Sequence, residues 1–180
     1  MKTILSLSSL VFLLACQSPE STSTQQTYFD LKSFIVKQIS VLEQQKPLVR
    51  KEVIVNEEAE SLVTTKINWA KELDLFNQAD LNKPAYTRSY FVDTLSVNTI
   101  SYRLREGESL PVQFLEVIKD STGQPRKIKA TLLDKNYLFE TEQTLTMECQ
   151  KGKLSAYQIE GFQQLFFGDP KPFKVSVMIQ

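Results

Sequence analysis

The sequence predicts an α+β domain: a curved, mostly antiparallel meander of eight or nine short strands, half-barrel in outline, packed on two helices near the amino terminus. Three observations predict it. An apolar stripe at helical spacing runs through residues 31–42, period-two alternation fills the second half of the chain, and turn-forming residues punctuate that alternation.

Leu31, Phe34, Ile35, Ile39 and Leu42 share one face of a helix over residues 28–45. Thr27 and Asp30 form a loose capping pair, and Pro47 ends the helix. Residues 48–67 read two ways. Val49, Val53 and Val55 alternate and Val63, Thr64 and Thr65 are β-branched, which favours a hairpin turning near Asn56-Glu57-Glu58. Ala59, Leu62 and Val63 would instead suit a helix capped by Asn56. Asn68 then caps a second helix carrying Trp69, Leu73 and Phe76, closed by Asn82-Lys83-Pro84.

Strands follow. Ile100, Tyr102 and Leu104 alternate with Ser101, Arg103 and Arg105. Asp120-Ser121-Thr122-Gly123-Gln124-Pro125 is turn chemistry between two strands, the second of which points Ile128, Ala130 and Leu132 to one side. Tyr137, Phe139, Leu145, Met147 and Cys149 share the dry face of the next strand, opposite Glu140, Glu142, Thr144, Thr146 and Glu148. Lys151-Gly152 turns into a strand with Tyr157 and Ile159, and Gly168 to Pro172 precede a last strand with Phe173, Val175, Val177 and Ile179 on one side. One wet face and one dry face per strand is the antiparallel pattern.

Composition narrows the chemistry. In 180 residues, 42% are hydrophobic and 23% charged, enough for one domain with a sizeable core. Basic and acidic side chains balance at 21 each, so no basic stripe argues for nucleic acid. Histidine is absent, which removes Ser-His-Asp and Cys-His catalysis and the commonest transition-metal ligand. No cofactor or metal motif occurs; Gly152, Gly161 and Gly168 do not build a phosphate cradle.

The first sixteen residues are MKTILSLSSLVFLLAC. Lys2 precedes an apolar run over residues 4–15, too short for the ~20 residues that a helical span needs and right for an export signal. The run ends in Leu13-Leu14-Ala15-Cys16, which resembles the lipobox of bacterial lipoproteins. The resemblance implies cleavage between Ala15 and Cys16 and a diacylglyceryl group on the Cys16 sulfur. It also leaves Cys149 without an intramolecular partner. Residues 17–27 hold no aliphatic or aromatic side chain and read as a polar tether reaching roughly 35–40 Å. By the same family analogy, the absence of Asp after Cys16 points to the outer membrane, with the periplasmic and surface faces both open.

The mature chain adds a second likeness. Trp69-x-x-Glu72-Leu73-x-x-Phe76, Asn82-Lys83-Pro84 and Tyr157-x-Ile159-x-Gly161-x-Gln163 resemble uncharacterised envelope lipoproteins of Gram-negative bacteria. The sheet-over-helix outline is similar to that of outer-membrane lipoprotein carriers and receptors. A likeness of outline does not carry function.

The candidate binding surface is Phe162, Leu165, Phe166 and Phe167, whose alternative is to plug one end of the core. Glu140, Glu142 and Glu148 are a carboxylate row or a solvated face; Lys119, Arg126, Lys127 and Lys129 are a basic patch or a guarded sheet. Cys149 is a core thiol or a reactive one. The expected function is a membrane-anchored, non-catalytic binding or assembly module for a hydrophobic ligand or an envelope protein. Its rivals are a purely structural envelope component and a carboxylate-based glycan hydrolase.

Overall fold

A computed structural model describes residues 27–180. The signal segment, Ala15, Cys16 and most of the tether lie outside the described residues. Helix α1 (Leu31–Gln45) is followed by strands β1 (Val49–Val55) and β2 (Glu58–Thr64), short helices α2 (Trp69–Glu72) and α3 (Asp74–Gln78), and a 3-10 turn (Pro84–Tyr86). Then come β3 (Tyr90–Ser96), β4 (Thr99–Leu104), β5 (Val112–Lys119), β6 (Pro125–Lys135), β7 (Phe139–Gln150), β8 (Lys153–Leu165) and β9 (Lys171–Ile179).

All nine strands form one open sheet in the order β2-β1-β9-β8-β7-β6-β5-β4-β3, and every neighbouring pair is antiparallel. From β3 to β9 the chain is the expected meander. The β1–β2 hairpin adds to the free side of β9, so the segment from α2 to the 3-10 turn carries the chain from one sheet edge to the other.

Local chemistry explains the joints. Asn56 and Glu57 both have positive φ, 50° and 74°, the pairing of a two-residue type I′ turn whose twist suits a hairpin. Residues 48–67 are therefore a hairpin rather than a helix. Lys151 and Gly152, at φ 52° and 71°, make the same kind of turn between β7 and β8. Between β5 and β6 the Asp120 carboxylate accepts from the Thr122 and Gln124 amides at 2.8 and 3.1 Å.

Two helical expectations need correction. The cap of α1 is Asp30, whose carboxylate accepts from the Ser33 amide at 3.0 Å, and the helix starts at Leu31. The helix expected after Asn68 is broken into α2 and α3 at Leu73, whose backbone (φ −96°, ψ 3°) leaves the helical ladder. Trp69, Leu73 and Phe76 are nevertheless all buried, so the stripe survives the break.

A single apolar cluster joins Leu31, Ile35 and Leu42 of α1 and Trp69, Leu73 and Phe76 to one face of the sheet. That face supplies Leu115, Val117, Ile128, Leu145, Met147, Tyr157 and Val177. Ser101, expected on the wet face, is buried, with Asp93 and Glu116 as its register partners. Tyr137, expected on the dry face, lies in the β6–β7 turn and is 82% exposed.

Candidate functional site

Two neighbouring turns build the most distinctive surface. In the β6–β7 turn, the Asn136 side chain accepts from the Leu138 and Phe139 amides at 2.8 and 3.1 Å. This Asx arrangement satisfies the tight backbone and leaves Tyr137 and Leu138 pointing away from the sheet. The β8–β9 turn lies beside it: the Phe166 amide donates to the Leu138 carbonyl at 2.8 Å. The Phe166 and Phe167 rings meet edge to face at 4.6 Å. A shallow depression of about 230 Å³ runs between the turns, lined by Tyr137, Leu138, Phe139, Leu165 and Phe166.

Of the residues singled out in the sequence, Leu165, Phe166 and Phe167 belong to this tip. Phe166 is 71% and Phe167 88% exposed, so they do not plug the core. Phe162 stands apart, half-buried within β8 between Glu142 of β7 and Pro172 of β9. Tyr137 and Leu138 join the tip unannounced. A period-two reading extends the β7 pattern through them, whereas the Asn at 136 was a turn signal available in the sequence.

The acidic row and the basic patch meet at one pair, Lys127 with Glu148, and a second acid of the row, Glu140, takes Lys135. Registers Lys127↔Glu148 and Lys135↔Glu140 place opposite charges side by side on β6 and β7. The ion pairs measure 2.8 and 2.5 Å. An open groove of about 490 Å³ crosses this outer face, lined by Lys127, Lys129, Thr144, Thr146, Glu148 and Ser176 among others. Cys149 is buried beneath it, and burial, with the Glu148 charge second, pushes its thiol up to about 12.

A polar cluster that sequence reasoning missed links three elements. Glu72 of α2 pairs with Lys51 of β1 at 2.5 Å and accepts from the Tyr157 hydroxyl of β8. Phe76 stacks edge-on against the Tyr157 ring at 5.6 Å. Burial, then the Glu72 hydrogen bond and charge, hold the Tyr157 phenol well above its ordinary range. A hydrogen-bonded, neutral phenol against a paired carboxylate is a structural tie between helix and sheet. Glu72, Phe76 and Tyr157 stand in the short motifs noted in the sequence, but their contact with one another and with Lys51 was not legible there, since the members lie far apart along the chain.

A second such clamp fixes the start of the domain. The Asn82 side chain accepts from the Tyr28 amide at 3.0 Å and donates to the Phe29 carbonyl at 3.1 Å. The Tyr28 hydroxyl donates to the Tyr86 and Thr87 carbonyls, and its ring meets Tyr90 and Tyr102 edge to face.

Among the described residues, no group of three or more His, Cys, Asp or Glu side chains is placed to hold a metal ion. No helix among them is long and apolar enough to cross a membrane. No family model, curated protein or solved structure matches the chain.

Proposed function

We propose that the protein is a membrane-anchored envelope lipoprotein, held by acyl chains on Cys16 after cleavage behind Ala15, whose domain is a non-catalytic binding or assembly module. The observation that carries the binding reading is the tip: five large apolar side chains, Tyr137, Leu138, Leu165, Phe166 and Phe167, exposed together on two turns. Isolated exposed apolar residues are ordinary; a contiguous set marks a contact surface. Glu72, Glu140 and Glu148 are ion-paired and Cys149 is buried, which weighs against a glycan hydrolase.

We also infer that the sheet curves around its helices. The small helical layer touches strands near both ends of the sheet order, Lys51 of β1 through Glu72 and Tyr102 of β4 through the Phe29 amide. A flat nine-stranded sheet at about 4.8 Å per strand would be wider than that layer. Ile35, Leu42, Leu73 and Phe76 fill the enclosed side, so the working surface lies at the tip rather than between sheet and helices.

Metabolic labelling with palmitate tests the anchor: wild-type protein takes up label and Cys16→Ser does not. Equal labelling of the two would end that reading. For the module, a Phe166→Ser/Phe167→Ser variant keeps its label and its urea midpoint but loses the crosslinks to envelope components that the wild type makes. Unchanged crosslinks would end the assignment of the tip.

A further inference from the structure

The tip and the point where the tether joins the domain lie at the same end of the sheet. Strand β3 begins beside Tyr28, because Tyr90 is its first residue and pairs with Leu104, the last of β4. Following the antiparallel registers across the sheet, that end holds the start of β5, the end of β6, the start of β7 and the end of β8. The turns with Tyr137, Leu138, Phe166 and Phe167 are therefore on the rim from which the tether departs. Three to six strands separate them from β3, roughly 15–30 Å at about 4.8 Å per strand.

We propose that this rim rests on the lipid bilayer that holds the anchor, with Phe166, Phe167, Tyr137 and Leu138 dipping into its interface. The proposal builds on the reading that Cys16 is acylated. From Tyr28 back to Cys16 the tether spans at most about 40 Å, so the chain length allows either end of the domain to face the membrane. The apolar tip breaks that symmetry. Tyr137, apolar with a hydroxyl at its end, suits the headgroup boundary, and each wholly apolar group buried there, such as Phe166 and Phe167, adds to the hold of the acyl chains. At the opposite end, the turns between β5 and β6 and between β7 and β8 carry Asp120, Ser121, Thr122, Gln124 and Lys151, which gain nothing from lipid; the apolar exposure there is aliphatic, Leu95 and Val97 by the β3–β4 turn, without the aromatic set of the tip.

Charge on the rim is mixed. Lys135 is paired with Glu140 at 2.5 Å and Lys171 follows Asp169 in the chain, while the β1–β2 turn brings Glu57 and Glu58 and the β4–β5 loop Arg105, Glu106 and Glu108 to the same end. Attraction to anionic lipid is therefore not the driving term, and a zwitterionic bilayer suffices.

The test uses the full-length, processed protein reconstituted into phosphatidylcholine bilayers with bromine on the acyl chains. A fluorescent reporter is placed at the tip by Phe167→Trp and at the opposite end by Val97→Trp, both exposed positions that tolerate exchange. Trp69 lies in the core and supplies the same background to each. Bromolipid should quench the Phe167→Trp emission at least about twofold and leave Val97→Trp within about a tenth of its value in unbrominated lipid. The quenching should persist in high salt.

Equal quenching at both positions, or none at Phe167→Trp, overturns the proposal. So does a blue-shifted Phe167→Trp emission that bromine does not touch, which would mean that a protein covers the tip. Palmitate incorporation, scored on the same samples, separates the two layers of the argument. Labelled protein with an unquenched tip sinks this orientation alone, whereas unlabelled protein sinks the anchor beneath it.

Discussion

The side chain of Gln38, in the middle of α1, completes the backbone of Leu154 at the start of β8. Its Oε1 accepts from the Leu154 amide at 2.9 Å and its Nε2 donates to the Gly152 carbonyl at 2.9 Å. Pairing between β9 and β8 stops at Ala156, so β9 does not reach Leu154. A buried glutamine, 2% exposed, thus ties the helix to the β7–β8 turn by both ends of its amide.

Removing that amide should cost more than removing a packing contact. Gln38→Leu keeps the volume but strands a buried N–H and a carbonyl, and each orphan costs about 1–3 kcal/mol. Urea unfolding should show a loss of about 2–4 kcal/mol for Gln38→Leu, against less than about 0.5 kcal/mol for the exposed neighbour Lys37→Leu. Equal midpoints for the two variants would show that the clamp contributes nothing.

Alkaline pH should unfold the domain through its buried phenols. Tyr157, Tyr90 and Tyr102 all sit above the ordinary value of 10.0, burial being the largest cause in each. A phenol whose folded pKa is raised contributes stability that is complete below pH 10 and declines as pH rises, because the unfolded chain ionises first. Each such group removes at most about 1.4 kcal/mol per pH unit above about pH 10. The urea midpoint should therefore fall between pH 10 and 11.5, and Tyr157→Phe should fall less steeply from a lower starting point. An unchanged slope in Tyr157→Phe would refute the assignment.

Thiol counting distinguishes the two cysteines. The native processed protein should react with no thiol reagent at pH 8, since Cys149 is 5% exposed and its thiol is pushed up to about 12. Denaturation should release a single reactive thiol if Cys16 is thioether-linked. Two thiols after denaturation would contradict acylation, and one in the native state would contradict the burial of Cys149.

Gly161 is the sheet's least tolerant glycine. A Cβ there would collide with the Glu142 carbonyl oxygen and press on the Gln143 Cα across the β7–β8 pair. Backbone cannot swing aside as a side chain can, so Gly161→Ala should lose about 1–3 kcal/mol by thermal or urea unfolding. Gly107→Ala, at a turn with open space around it, should lose less than Gly161→Ala despite its positive φ of 86°. A Gly161→Ala protein as stable as wild type would mean that the strands separate freely here.

Much of this was legible residue by residue. The stripe Leu31, Ile35 and Leu42, the turn at Asp120 to Gln124, and the alternation of Leu145, Met147 and Cys149 each follow from one local period, and the antiparallel sheet follows from their sum. The proposed address is likewise read from sixteen consecutive residues ending in Ala15 and Cys16. Contacts between distant positions were not legible. Gln38 lies on the apolar stripe yet reads as an interruption until Leu154 is seen beside it, and nothing in the spacing of Lys51, Glu72 and Tyr157 shows that three elements bring them together. Strand periodicity assigns faces but not neighbours across the sheet. Only the assembled register could show that Glu148 and Glu140 of β7 pair with Lys127 and Lys135 of β6, and that two turns 28 positions apart, at Leu138 and Phe166, form one apolar tip.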